Sequence, residues 1–315
     1  MVTVSAPGKL MFFGEHAAVY GVPCIALAIN QRLYCTVKKR QDGKIIFNFP
    51  DLELKNYEYR PGSNDRRVCF IARAILNTLG DPYSHGGFEV ETRSEMKKGV
   101  GTSSGCVVSL IVALNELFKL NLSKEQMFHI AYKTVLDVQG KGSGYDVATS
   151  LYGGFIKYLK GQIPQELGCP RDLLLVMGHT NIKADTVELI DRVAKKKDHY
   201  PHFFNEVLWL TKQCVDEAEI SLENDDLEGI ADMMNFVHGL LNGMGVSHPK
   251  LEELIFASRK AGALGAKLSG AGGGDCMIAL VTPETKDSVM SAIKEHGGIP
   301  LEIKVSEGAR VESCD

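Results

Sequence analysis

Lys98-Gly99-Val100-Gly101-Thr102-Ser103-Ser104-Gly105 is the stretch on which the fold turns. Before it, Gly87 to Thr92 alternates as a short strand. After it, Val107, Val108, Leu110, Ile111, Leu114 and Leu117 mark a strongly apolar helix. Glycines let such a strand-to-helix loop curl so that successive N–H groups point inward. The helix N-terminus adds unpaired donors and the positive end of a dipole, so the loop is suited to phosphate. It lacks the Gly-Lys-Ser/Thr ending of a Walker A loop, and no dinucleotide-binding unit follows it. Taken alone, the loop is better read as a Ser/Thr cap after a tight turn.

Outward from the loop, strands are expected at 2–6, 10–13, 33–39 and 44–49, with a helix at 66–79. A second helix, 124–138, runs into another glycine-bearing loop, 140–144, and Asp146 opens the next segment. A strand at 154–159 precedes a polar stretch, 160–172, that reads as a linker. The second half is richer in helix, at 184–196, 203–222, 227–241, 250–261 and 283–296. Strands at 266–269 and 275–281 flank a third glycine run, Gly270-Ala271-Gly272-Gly273-Gly274, and a last strand lies at 301–305. Strands and helices mix without regular alternation, which predicts an α+β fold. The expected domains are residues 1–165 and 166–315.

The 315 residues carry a formal charge of −4, too few cations for a general nucleic-acid surface. The run Lys195-Lys196-Lys197 reads as a solvated helix face. Eight cysteines, none in a CxxC pair, predict buried free thiols in a reducing cytoplasm. No apolar run is long enough for a bilayer, and the first residues lack the pattern of a secretory signal, so no membrane association is expected.

Four segments in order extend the argument: Ser5-Ala6-Pro7-Gly8-Lys9 through Gly14-Glu15-His16, the loop at 99–105, Gly142-Ser143-Gly144-Tyr145-Asp146, and Lys267-Leu268-Ser269-Gly270-Ala271-Gly272-Gly273-Gly274-Asp275. Together they resemble the GHMP kinases over nearly the whole chain. The resemblance implies a ribosomal-S5-like N-terminal half, a ferredoxin-like C-terminal half, and ATP and a small-molecule substrate in a cleft between them. It implies ATP binding by Lys98, Gly99, Val100, Gly101, Thr102, Ser103, Ser104 and Gly105, with Ser103 also on Mg²⁺. Lys9 would stabilise the charge on the transferred phosphate, and Asp146 would take the proton of an attacking alcohol. Outside the resemblance, Lys9 reads as a surface lysine beside a turn and Asp146 as a helix N-cap. Gly270, Ala271, Gly272 and Gly273 would let the backbone approach the substrate.

Within the family, Gly14-Glu15-His16-Ala17-Ala18-Val19-Tyr20-Gly21 is similar to the opening of mevalonate kinases, which implies that Glu15 and His16 hold mevalonate. Three features depart from that branch. The position of its Mg²⁺-binding Glu is Val135, with Asp137 two residues on. The stretch 139–148 and the ending Gly274-Asp275-Cys276 are closer to phosphomevalonate kinases. A phosphate acceptor would need extra cations, and Lys97, Lys98 and Lys141 flank the loops. The expectation is therefore a cytoplasmic, magnesium-dependent mevalonate kinase, with phosphomevalonate or another phosphorylated mevalonate as the alternative acceptor. A homodimer is compatible with it. A non-catalytic ligand sensor would have no need of both Lys9 and Asp146, and a decarboxylase relative fits the loop at 142–146 less well.

Overall fold

The computed structural model describes residues 1–315 apart from 61, 63, 64, 97–99, 141 and 315. It opens with β1 (Val2–Phe13), a short 3-10 turn (Ala17–Tyr20), β2 (Cys24–Arg40), β3 (Ile45–Phe49) and β4 (Leu54–Glu58). Then come α1 (Cys69–Leu79), β5 (Gly87–Ser94), α2 (Thr102–Phe118), α3 (Lys124–Gln139) and α4 (Tyr145–Tyr152). Next are β6 (Phe155–Tyr158), β7 (Gln165–Leu167), β8 (Leu174–His179), α5 (Thr186–His199), α6 (Pro201–Glu223), α7 (Leu227–Gly243) and α8 (Pro249–Lys260). The chain closes with β9 (Gly265–Ser269), β10 (Cys276–Val281), α9 (Lys286–Glu295), β11 (Ile299–Ile303) and β12 (Arg310–Cys314).

The chain divides into two compact units, and neither is one continuous piece. The first comprises Met1–Lys9, Ala28–Gly153 and Ser306–Asp315; the second comprises Leu10–Leu27 and Gly154–Val305. The strands β1 and β2 each run through both. The sequence boundary at 165/166 falls inside the second unit.

In the first unit the strand order is β12-β1-β2-β5-β3-β4. β3 runs parallel to β5, whereas β12 on β1, β5 on β2 and β4 on β3 are antiparallel. Helix α2 is buried on nearly all sides, from Ser104 to Asn115, as its largely apolar sequence requires. It packs against α1, α3 and α4. A reciprocal cap starts α3: Ser123 accepts from the Gln126 N–H, and the Gln126 side chain accepts from the Ser123 N–H. In the second unit β11-β8-β10-β9 form an antiparallel sheet. All six residues of β10 are buried, as expected of a central strand. Helices α8 and α9 pack on this sheet. β6 pairs with Cys24–Leu27 and with β7.

Several elements differ from the sequence expectation. β1 is one strand, not two, despite Pro7-Gly8. The backbone groups there find partners outside the ladder: Ser150 Oγ donates to Pro7 O at 3.1 Å, and the Lys9 N–H donates to Val100 O at 2.7 Å. β2 starts nine residues earlier than Leu33, through an apolar run ahead of the polar Asn30-Gln31-Arg32. The stretch read as a linker contains β7, and β4, β8 and β12 were not expected. All eight cysteines are free. Cys24, Cys35, Cys214 and Cys276 are buried as expected, but Cys169 and Cys314 are exposed.

Candidate active site

In the first unit, Gly101 is the N-cap of α2, with φ +97°, and no side chain caps the helix. The reading of this loop as a Ser/Thr cap is therefore replaced: the first-turn N–H groups are left for another acceptor. Thr102 and Ser103 are exposed on that turn. Ser104 is buried, and its hydroxyl donates to Gly101 O at 2.8 Å, which leaves the residue its N–H for a ligand. Val100 is fully buried and ties the loop to β1 through its carbonyl. Gly105 packs close to the Met96 methyl, 2.8 Å from where a Cβ would stand. Lys97, Lys98, Gly99 and Lys141 lie outside the described residues.

Lys9 reaches the same place from β1. Its ammonium lies 2.8 Å from Asp146 Oδ1 and donates to Tyr145 Oη at 2.9 Å. A Cβ on Gly101 would stand 3.1 Å from both Cγ and Cε of Lys9, a crowded approach at a residue whose φ of +97° already favours glycine. Burial by itself lowers the pKa of Lys9; the charge of Asp146, then Tyr145 beside it, more than reverse this, and the net direction is upward. Lys9 is thus a fixed cation and not a surface lysine.

Asp146 is not the N-cap of α4. That position is Gly144, at φ +94°, again with no side-chain cap. Asp146 is the second residue of the helix, where a carboxylate also complements the dipole. Its side chain is about two-fifths exposed and so open to a reactant (41%). Asp137 is held by Lys133 at 2.9 Å and Asn77 at 3.0 Å, on a separate network. Val135 Cγ1 lies 3.4 Å from where a Cβ on Gly142 would stand, so this side chain faces the loop before Asp146.

The second unit holds the other predicted residues. Glu15 and Lys267 are ion-paired with both side chains fully buried, and Lys267 also donates to Leu268 O at 2.7 Å. Burial raises the pKa of Glu15 and lowers that of Lys267, each against the pull of its partner. His16 sits at φ +59°, a strained value for a non-glycine residue, and its Nε2 is 2.8 Å from Ala271 O. Burial lowers its pKa. The Gly270–Gly274 run curls through positive φ at each glycine. At Gly272 a Cβ would stand 2.1 Å from Val246 O, and the Gly273 N–H donates to that same carbonyl at 2.8 Å. Asp275 turns inward: its carbonyl accepts from the Thr180 N–H at 2.8 Å, and its carboxylate faces the Ala184 N–H at 3.5 Å. Its part is to hold the loop at 180–184.

Two residues of this geometry had no role in the sequence reading, although both stand in quoted motifs. Tyr145 touches Lys9, and Lys267 holds Glu15. A lysine within an otherwise apolar strand was the available signal for the second, because a cation there needs a partner.

Comparison with known proteins gives the family. The chain matches the GHMP kinases N terminal domain over residues 67–154 and the GHMP kinases C terminal domain over 218–299. It is 36% identical to a mevalonate kinase of Thermococcus sibiricus and 37% identical to one of Pyrococcus horikoshii. In both cases 99% of this chain and 98% of the relative are covered. Among solved structures it resembles L. major mevalonate kinase in complex with R-mevalonate, at 26% identity and a TM-score of 0.79, covering 96% of this chain and 95% of that one. The chain belongs to the GHMP kinases. It has their two-domain α+β fold, and with it the phosphotransferase activity of an ATP-using kinase. Among the described residues no helix is long and apolar enough to cross a membrane.

Proposed function

We propose that this kinase transfers the γ-phosphoryl group of ATP to the 5-hydroxyl of mevalonate, giving 5-phosphomevalonate and ADP. The observation that carries the chemistry is the contact of Lys9 with Asp146 beside Gly101, at the uncapped start of α2. The acceptor is supported by the full-length likeness to mevalonate kinases.

The α2 N-terminus, from Gly101 to Gly105, offers N–H groups and a positive dipole end to the β- and γ-phosphates. An ammonium has three donors. Asp146 and Tyr145 take two from Lys9, and the third serves the phosphoryl oxygens as charge builds there. The acceptor oxygen forms the new P–O bond as the bond between the γ-phosphorus and the β–γ bridging oxygen breaks, and that electron pair leaves with ADP. The acceptor proton passes to Asp146. In a loose transition state this proton is lost late, so an ion-paired carboxylate that orients the hydroxyl is sufficient. Glu15, held by Lys267, and His16, held at Ala271, would form the acceptor's seat along Gly270–Gly273.

Magnesium fits this donor set. Among the described residues no group of three or more His, Cys, Asp or Glu side chains stands ready for a metal. A Mg²⁺ carried on phosphates needs only one or two protein oxygens, and the exposed Ser103 hydroxyl on the first turn of α2 is one. When bound, the ion would neutralise charge on the β- and γ-phosphates.

An ADP-release assay with Mg-ATP tests the assignment, with mevalonate, 5-phosphomevalonate, homoserine and galactose offered separately. Turnover is expected with mevalonate. Turnover with none of the four, or with 5-phosphomevalonate alone, overturns the acceptor. Asp146→Asn should lower kcat about a hundredfold or more while leaving the Kd for ATP nearly unchanged. Activity near that of the wild type would return Asp146 to a structural part.

A further inference from the structure

We propose that Tyr145 is a positioning residue for phosphoryl transfer, acting through Lys9. Its phenol oxygen accepts from the Lys9 ammonium at 2.9 Å, and its ring centroid lies 5.0 Å from the same nitrogen. The ammonium is therefore held by two directional contacts from one helix turn: the Asp146 carboxylate at 2.8 Å and the Tyr145 phenol oxygen at 2.9 Å.

Two adjacent residues on a helix point about 100° apart, so they do not ordinarily share a partner. They share one here because Lys9 comes to the open N-terminal end of α4 and not to its side. That end carries the positive pole of the helix, an unfavourable place for an ammonium. Asp146 supplies the compensating charge, but a single carboxylate fixes only one direction and leaves the ammonium free to swing about it. The phenol oxygen supplies a second direction, and the stem is confined at Gly101. With two N–H groups committed, the orientation of the third is set.

The anchor is itself rigid. Gly144 starts α4 in a left-handed conformation, and the Ala148 N–H donates to Gly144 O at 3.0 Å. Thr149 Oγ1 donates to Tyr145 O at 2.7 Å, so the first turn that carries Tyr145 is braced from below. An aliphatic residue at 145 would let α4 form and would leave Asp146 in place, yet Lys9 would lose one of its two directional contacts. Such a loss appears in the rate of the chemical step and not in nucleotide affinity, because the phosphates rest on α2.

The role rests on the reading of Lys9 as the cation at the transferred phosphate, so the test has one arm that needs no acceptor. Wild type, Tyr145→Phe and Tyr145→Leu are treated with limiting acetic anhydride at fixed pH, and acetylation of Lys9 is followed by mass spectrometry. In parallel, kcat and KM for ATP are measured with mevalonate. Loss of the phenol oxygen should raise the labelling rate of Lys9 about threefold or more and lower kcat about tenfold, the value of one lost hydrogen bond to a charged group. KM for ATP should stay within about twofold, since the phosphate-binding backbone is untouched. Tyr145→Leu, which removes the phenol oxygen together with its ring, should do at least as much in both readouts. Unchanged labelling in Tyr145→Phe means there is no clamp and overturns the proposal. Faster labelling with kcat unchanged means the clamp does not serve the reaction, and overturns it as well. Should wild type fail to turn over mevalonate, the acceptor assignment falls by itself. The labelling arm and the rate of ATP hydrolysis without acceptor then decide the case of Tyr145.

Discussion

Val135 occupies the position where the family resemblance implies a metal-binding glutamate, and its side chain faces the loop at Gly142. A carboxylate placed there would enter the surroundings of Asp146 and the nucleotide phosphates. Val135→Glu is expected to lower the Mg²⁺ concentration needed for half-maximal velocity, measured at fixed ATP. An unchanged Mg²⁺ dependence would show that position 135 does not face the metal. The Lys267–Glu15 pair makes a separate residue-scale case. Lys267→Met strands a fully buried carboxylate and should cost about 3–5 kcal/mol in urea unfolding, whereas adding Glu15→Leu should recover most of that loss. Lys9 and Asp146 were singled out only through the likeness of their motifs to the GHMP kinases; read locally, one is a surface lysine and the other a helix N-cap. The Lys267–Glu15 contact was not legible, because its members lie 252 positions apart and nothing local to either names the other.

At the scale of elements, two helix starts that open on an uncapped glycine organise the first unit. α2 and α4 each begin at a glycine of positive φ with no side-chain cap. Both thereby forgo the small stabilisation that Ser, Asn or Asp would add over glycine, about a few tenths of a kcal/mol apiece. At Gly101 the crowding against Lys9 adds a second demand. Gly101→Ala should lower kcat about tenfold and raise KM for ATP, because it strains the backbone and pushes the Lys9 stem away together. A KM for ATP equal to that of the wild type would separate the loop from nucleotide binding. The glycine loops and long helices were readable through glycine spacing and apolar periodicity. β12 was not: all five of its residues are exposed and polar positions dominate, so no alternation marks it. It is a strand because β1 offers it an edge, from Val2↔Cys314 to Ser5↔Arg310.

Over the whole molecule, pH dependence follows from buried histidines. Burial lowers the pKa of His16 and of His238, the latter beside Glu252 at 3.2 Å. A histidine whose folded pKa lies below its unfolded value takes up protons on unfolding, so its neutral form favours the fold above the unfolded pKa of about 6.5, and stability falls as pH drops below it. The melting temperature should therefore fall between about pH 7 and 5, and His238→Gln should flatten that slope. A slope unchanged by the substitution would place the acid sensitivity elsewhere. The first unit closes on Arg32, only 6% exposed. Its five N–H groups reach Ser5 Oγ and Ser5 O, Ser306 Oγ, Glu307 O and Gly308 O. Arg32→Met should cost about 2–4 kcal/mol, since it leaves these acceptors unpaired.

The guanidinium of Arg32 also imposes an order on biosynthesis. Three of its five acceptors belong to residues 306–308, which the ribosome adds only after the whole of 154–305 has been made. For most of translation, then, the strand that presents Lys9 lacks its outer neighbour, and a buried cation lacks its carbonyl ligands. The second unit contains no residue beyond 305. Completion of the first unit would then wait for residues 306–308.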